Sequence, residues 1–157
     1  MGKFITTPEA EILGVSIQAY IRSLMYDDIK HLLIEYDLQD IEPRKWYPFQ
    51  LILNVLRDIH QDPTNTTEKL VSVGMKIAEL VPVAEGVNSV FSFLESFQVG
   101  YLKQHRNITE AGWSVQLIEP EHLQVTYDGP YPDDMCYGIV WGAFKRFRTP
   151  KTQFTVT

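Results

Sequence analysis

Gly138 and Gly142 stand four residues apart inside an apolar stretch, Asp133-Asp134-Met135-Cys136-Tyr137-Gly138-Ile139-Val140-Trp141-Gly142-Ala143-Phe144-Lys145-Arg146-Phe147, that reads as one short helix. Each glycine in an exposed helix is unfavourable by roughly 1 kcal/mol relative to alanine, so a pair of them in one helix needs a compensating contact. At this spacing they share one side of the helix and leave a notch where another element can come within backbone distance. The expected neighbour is a sheet, because strand-like segments lie on both sides of this helix in the chain. Pro130 and Pro132 hold the entry extended. Asp133 or Asp134 is expected to accept from the first free backbone N–H groups while placing negative charge at the positive end of the helix dipole.

Upstream of that helix the hydrophobic period is two. Trp113, Val115 and Leu117 alternate with Ser114 and Gln116, and Leu123, Val125 and Tyr127 alternate with Gln124 and Thr126. With Glu119-Pro120-Glu121 between them, these runs predict a hairpin with one wet face. Downstream, Phe154 and Val156 alternate with Gln153 and Thr155 and predict a third strand. Before residue 105 the period is helical. Ile12, Val15, Ala19, Leu24 and Met25 predict a helix over 11–25, and Ile29, Leu32, Leu33 and Tyr36 a short second one behind Asp27 and Asp28. Phe49, Ile52, Leu53, Leu56 and Ile59 form the clearest stripe, with Pro48 in the first turn. Asn65 and Glu68 have the spacing of a capping box, opening a helix that buries Leu70, Gly74, Ile77, Ala78 and Val81 and ends at Pro82. A further helix over 85–104 turns Val87, Val90, Phe91, Leu94, Phe97 and Tyr101 inward.

The fold class expected is α+β, in a single domain over 1–157. An N-terminal helical layer of about five helices, 11–104, precedes a small antiparallel sheet of about three strands with the Gly-xxx-Gly helix inserted, β-β-α-β, over 112–157. A chain of 157 residues is long enough for one real core and too short for two ordinary ones.

The formal net charge of −6 disfavours nonspecific nucleic-acid binding, which needs basic surface to replace phosphate counterions. The one basic cluster, Lys145, Arg146, Arg148 and Lys151, follows the end of the late helix and reads as compensation of its dipole. Cys136 is the single cysteine, so an internal disulfide and a thiolate-cluster metal site are both excluded. The cytoplasm is the expected location. No apolar run approaches the ~20 residues of a membrane span, and residues 1–8 lack the apolar core of a secretory signal.

Helices first, then strand, strand, a Gly-xxx-Gly helix and a strand: this order resembles an α+β superfamily. It includes heme nitric-oxide/oxygen-binding sensor domains, the 4-vinyl-reductase small-ligand domain and subunits of the transport protein particle. The likeness rests on Leu123-Gln124-Val125-Thr126-Tyr127, Gly138-Ile139-Val140-Trp141-Gly142-Ala143-Phe144 and Phe154-Thr155-Val156, and covers 112–157. The resemblance implies a binding or sensing module that encloses an apolar ligand, such as heme or an acyl chain, between helices and sheet. Heme-sensor members hold the propionates with a Tyr-x-Ser-x-Arg clamp. The corresponding Tyr127-Asp128-Gly129-Pro130-Tyr131 keeps the tyrosine alone and lacks the charge-assisted partner. The 4-vinyl-reductase domain is often cysteine-rich near this helix, whereas Cys136 stands by itself here, and no metal is expected.

His31, His60, His105 and His122 fall in no metal-ligating spacing. His105, beside Arg106 at the end of the aromatic helix, is the one nearest the expected pocket, and it also suits a positive charge at a helix C-terminus. Asp128, Asp133 and Asp134 are the one oxygen set suited to a hard cation, against which stands their use as helix caps. Trp46, Tyr47, Tyr131, Tyr137 and Trp141 place rings near turns and termini, where they contribute apolar area with a polar edge. The acids around Cys136 raise a thiol pKa, so it reads as a packed thiol. No Ser-His-Asp order, phosphate-binding glycine loop or paired carboxylates stand out, and no catalytic residue is expected.

These readings converge on a non-enzymatic sensory or regulatory domain that binds a small hydrophobic ligand or a partner segment. Tyr101, His105, Tyr131, Tyr137 and Trp141 are expected to line the site, with no cofactor. Two alternatives stand beside it: a protein-interaction module that self-associates as a homodimer, and a heme protein using His105.

Overall fold

The computed structural model describes residues 2–64, 67–151 and 153–156 and is mixed α+β, with six helices and two small antiparallel sheets among those residues. The first sheet is built from the N-terminal half. Its central strand β1 (Glu11–Leu13) leads into α1 (Gly14–Ser23), which is followed by α2 (Tyr26–Glu35). Strand β2 (Trp46–Pro48) then feeds α3 (Phe49–Gln61), and α4 (Thr67–Leu80) and α5 (Val90–Gln104) lead to β3 (His105–Arg106). β1 lies between β2 and β3, antiparallel to both, so that Ile12 faces Tyr47 on one side and His105 on the other. The second sheet is the hairpin β4 (Gly112–Glu119) and β5 (His122–Asp128), with Trp113 opposite Tyr127 and Val115 opposite Val125. Helix α6 (Asp133–Phe147) follows it.

The hairpin, α2, α3, α4 and α6 form where their periodicity places them; some other expectations change. The helix expected over 11–25 begins as strand, because 11–13 find backbone partners in 46–48 and 105–106, and a three-residue apolar run carries no period of its own. α5 starts at Val90 rather than 85. Ser89 is its N-cap: its hydroxyl accepts from the Ser92 backbone N–H, while the Ser92 side chain accepts from the Ser89 N–H. Neither Asp133 nor Asp134 caps α6 through its side chain. Pro132 is the N-cap, and Asp133 pairs with Lys3 Nζ at 2.8 Å, although both acids stay in the first turn where the dipole favours them. The Asn65 end of the expected capping box lies outside the described residues.

The glycine notch of α6 receives a helix, not a sheet. A Cβ on Gly138 would stand 2.1 Å from the Val71 carbonyl oxygen, and one on Gly142 would stand 2.7 Å from Ala78 Cβ. α4 reciprocates, since a Cβ on Gly74 would stand 2.0 Å from the Met135 carbonyl oxygen. Two helices notched by small residues therefore cross at backbone contact, closer than the usual 8–10 Å between axes of side-chain-separated helices. Arg146 secures the end of this pair by donating to the Ala78 and Val81 carbonyl oxygens at 2.8 and 2.7 Å. The expected dipole compensation thus acts on α4, whose last carbonyls are otherwise orphaned.

Residues 153–156 form no strand, which corrects the expected third strand and the β-β-α-β layout. They lie against α6. Phe154 packs on Trp141 and Phe144, both at 5.1 Å between centroids, and the Tyr137 hydroxyl donates to the Val156 carbonyl at 3.1 Å. The apolar core between the layers includes Ile12, Ile17, Phe49, Ile52, Leu53, Leu56, Leu70, Phe93, Leu94 and Met135, all under 2% exposed.

Candidate functional site

Five of the elements meet around His105. Strand β3 pins its backbone opposite Ile12, and the last turn of α5 supplies Tyr101 and Gln104. The loop after β5 supplies Tyr131, and α1 supplies Ser16 and Tyr20, four residues apart and therefore on one helix face. Phe49, the first residue of α3, closes the far side with its ring 4.6 Å from that of His105. The Tyr101 ring stacks on the imidazole at 4.3 Å.

The hydrogen bonds fix the state of His105. Nδ1 lies 2.9 Å from the Tyr101 carbonyl oxygen, which can only accept, so Nδ1 carries the proton. The 2.8 Å contact from Nε2 to the Tyr131 hydroxyl then runs the other way: the phenol donates and the ring nitrogen accepts. The imidazole is neutral, because burial pushes its pKa down from 6.5 to about 4. Its expected service as a charge at a helix C-terminus is thereby excluded. Burial likewise raises the phenols of Tyr20, Tyr127 and Tyr131 far above their ordinary value and that of Tyr101 to about 12. The Tyr20 hydroxyl lies against that of Tyr131, extending the chain of neutral donors and acceptors. The Tyr101 hydroxyl is buried without a well-formed hydrogen bond among the described residues, although the Tyr127 phenol lies beside it.

This cluster borders a cavity of about 120 Å³. Ala19, Ile77, Phe97, Met135 and Ile139 give it apolar walls, and Ser16, Tyr20, Gln104, His105 and Tyr131 give it polar ones. Ser16 donates its hydroxyl to Gln104 Oε1.

Of the five residues expected to line a site, Tyr101, His105 and Tyr131 come together here and Tyr137 and Trp141 do not. The latter two stack on each other at 6.3 Å on the outward side of α6. Tyr137 borders a second, open groove of about 1220 Å³, walled by Leu123, Val125 and Tyr127 of β5, by Cys136, Val140 and Phe144 of α6, and by Phe154 and Val156. Sequence reasoning missed Ser16, Tyr20 and Gln104. The available signal was polar groups at buried positions of otherwise amphipathic helices.

Heme does not fit at His105. Both ring nitrogens are engaged, and a cavity of about 120 Å³ is far smaller than a macrocycle requires. No group of three or more His, Cys, Asp or Glu able to hold a metal ion occurs among the described residues, and Asp133 is spent on Lys3. Cys136 is buried, its thiol pushed up to about 12 by desolvation, as a packed thiol should be. No helix among the described residues is long and apolar enough to cross a membrane. No protein-family model matches the chain, and neither the curated proteins nor the solved structures hold a match to it.

Proposed function

We propose that this chain is a non-enzymatic sensory or regulatory domain that binds a small, mostly apolar ligand with one polar end in the cavity beside His105. The observation that carries this reading is the convergence of Tyr20, Tyr131, His105 and the Ser16–Gln104 pair on one side of an otherwise apolar cavity of about 120 Å³. Ligand sites have this composition: apolar walls for affinity and a few placed polar groups for orientation. An apolar cavity of about 150 Å³ accommodates benzene, so a cavity of about 120 Å³ sets one small ring or a chain of about six carbons as the upper bound. The groups presented are neutral, which favours phenol and short alcohols over carboxylates, whose charge would be stranded.

Thermal unfolding in the presence of phenol and short alkanols tests this. Ligand at about 100 times its Kd stabilises a folded chain by about 2.7 kcal/mol, here a rise of several degrees in Tm. Gly100 borders the cavity, and a Cβ there meets no atom within 4 Å. The Gly100→Leu chain is therefore expected to fold and to lose the ligand-induced shift. If neither phenol nor any short alkanol raises the Tm of the unaltered chain, or if Gly100→Leu keeps a shift of the same size, the reading fails.

A further inference from the structure

Ser16 and Gln104 make a polar bridge from α1 to α5 at the edge of an otherwise apolar space. Ser16 is 6% exposed, and its hydroxyl donates to Gln104 Oε1. Resting on the cavity ligand proposed above, we infer that Gln104 selects that ligand by its hydroxyl group. The amide N–H groups donate to the ligand's oxygen, and the ligand's own O–H is given to the Ser16 oxygen. The site then takes alcohols and phenol and discriminates against ethers and hydrocarbons of the same size.

The donors and acceptors along this wall decide which group is left to act. His105 Nδ1–H is given to the Tyr101 carbonyl and Nε2 accepts from Tyr131, so neither ring nitrogen is open. The Tyr131 proton is thereby committed, and the Tyr20 hydroxyl lies against the Tyr131 oxygen. Ser96, which also borders the cavity, gives its hydroxyl to the Phe93 carbonyl at 2.5 Å. The Tyr101 hydroxyl lies beside the Tyr127 phenol of β5. Gln104 is different. An amide carries two N–H donors and one carbonyl oxygen. The oxygen is spent on Ser16, and Nε2 makes no hydrogen bond among the described residues. Ser16, having given its proton, keeps lone pairs that only a donor can use. The pair therefore presents open donors and an open acceptor side by side. Turning the amide over exchanges the two roles and leaves the same demand.

Space beside the pair comes from small residues. Gly100 lies four residues before Gln104 on the same face of α5, and a Cβ there would meet no atom within 4 Å. Ser16, Ala19 and Tyr20 share one side of α1, where Ala19 contributes only a methyl. A hydroxyl answers both members of the pair at once. An ether oxygen satisfies the donors alone and a hydrocarbon satisfies neither, which strands polar groups against apolar surface.

The test reads dissociation constants at room temperature from the amide chemical shifts of the full chain. It is titrated with size-matched probe pairs, n-butanol with diethyl ether and phenol with fluorobenzene. Ser16→Ala/Gln104→Met removes donor and acceptor together, strands no polar group and is expected to leave the circular-dichroism spectrum unchanged. It should lower the preference for the hydroxylated member of each pair by about tenfold, the factor that one such hydrogen bond supplies. Gln104→Glu keeps an acceptor for Ser16 and exchanges the N–H donors for a second oxygen. It should shift the preference the opposite way, the ether weakening by about tenfold or more while the alcohol donates to the new oxygen. A purely structural pair would weaken both members of each probe pair alike. That outcome, or a preference unchanged in both variants, overturns the role of Gln104 and leaves the cavity ligand standing. Binding of neither phenol nor n-butanol to the unaltered chain brings down the cavity reading, and the role of Gln104 with it.

Discussion

His105 places an acid-sensitive ring inside the core. Its pKa falls from 6.5 in the unfolded chain to about 4 in the folded one because burial penalises the cation. Between those values the unfolded chain binds the extra proton, so stability rises with pH across that window and is lost as pH falls from about 6.5 toward 4. The neutral form contributes up to about 3 kcal/mol above pH 6.5, and chemical denaturation followed at pH 7 and pH 4.5 should show a His105-dependent part of that size. Tyr131→Phe removes the donor to Nε2 and leaves a buried acceptor unpaired. It is expected to cost about 1–3 kcal/mol, read as a Tm lowered by roughly 2–10 °C. At this scale the sequence was half legible. Tyr101 and His105 stood out because aromatic residues crowd the end of one helix, and Tyr131 because prolines flank it. Tyr137 and Trp141 were grouped with them by chemistry, yet they occupy the opposite side of α6, since helical phase and not residue type decides which layer a ring joins.

Helices α4 and α6 test how small residues set packing. Gly138→Ala drives a methyl to 2.1 Å from a backbone oxygen that no rotamer change can move, and should destabilise by about 3 kcal/mol. Gly100→Ala, in open space on α5, should do the reverse and stabilise by up to about 1 kcal/mol. Thermal denaturation of the two variants side by side checks the opposite signs, and equal shifts would remove the close approach as the reason for the notch. The notch itself was readable from the Gly138–Gly142 spacing, and its partner was not. Gly74 was already visible on the buried face of α4, but nothing local says that two notches meet. The hairpin was legible because its period of two persists over both strands. β1, β2 and β3 were not, because strands of two or three residues carry too few alternations and exist through pairings between positions far apart in the chain. The same reason undid the expected third strand at 153–156: alternation specifies an extended backbone, and a strand also needs a neighbour to pair with.

Over the whole molecule, stability is expected to be graded. The interior of α4 and α6 combines buried glycines, a backbone-to-backbone crossing and the Arg146 bonds, whereas Leu117 and Ile118 near the hairpin tip are 55% and 48% exposed. Amide exchange should therefore be slowest across 70–78 and 135–143, opening only with global unfolding, and fastest at 117–122 and 153–156 through local opening. Uniform protection across the chain would contradict that gradient. The crossing also limits how a bound molecule is reported outward. With main chains in contact at Gly74, Gly138 and Gly142, α4 and α6 resist sliding and rolling against each other, so they are expected to move as one strut. Any displacement begun at the imidazole is therefore passed to α1, α3, α5, the first sheet or, through Tyr131, the two-stranded ribbon, and the ribbon, carrying the open edge, is the member of that set with least holding it still.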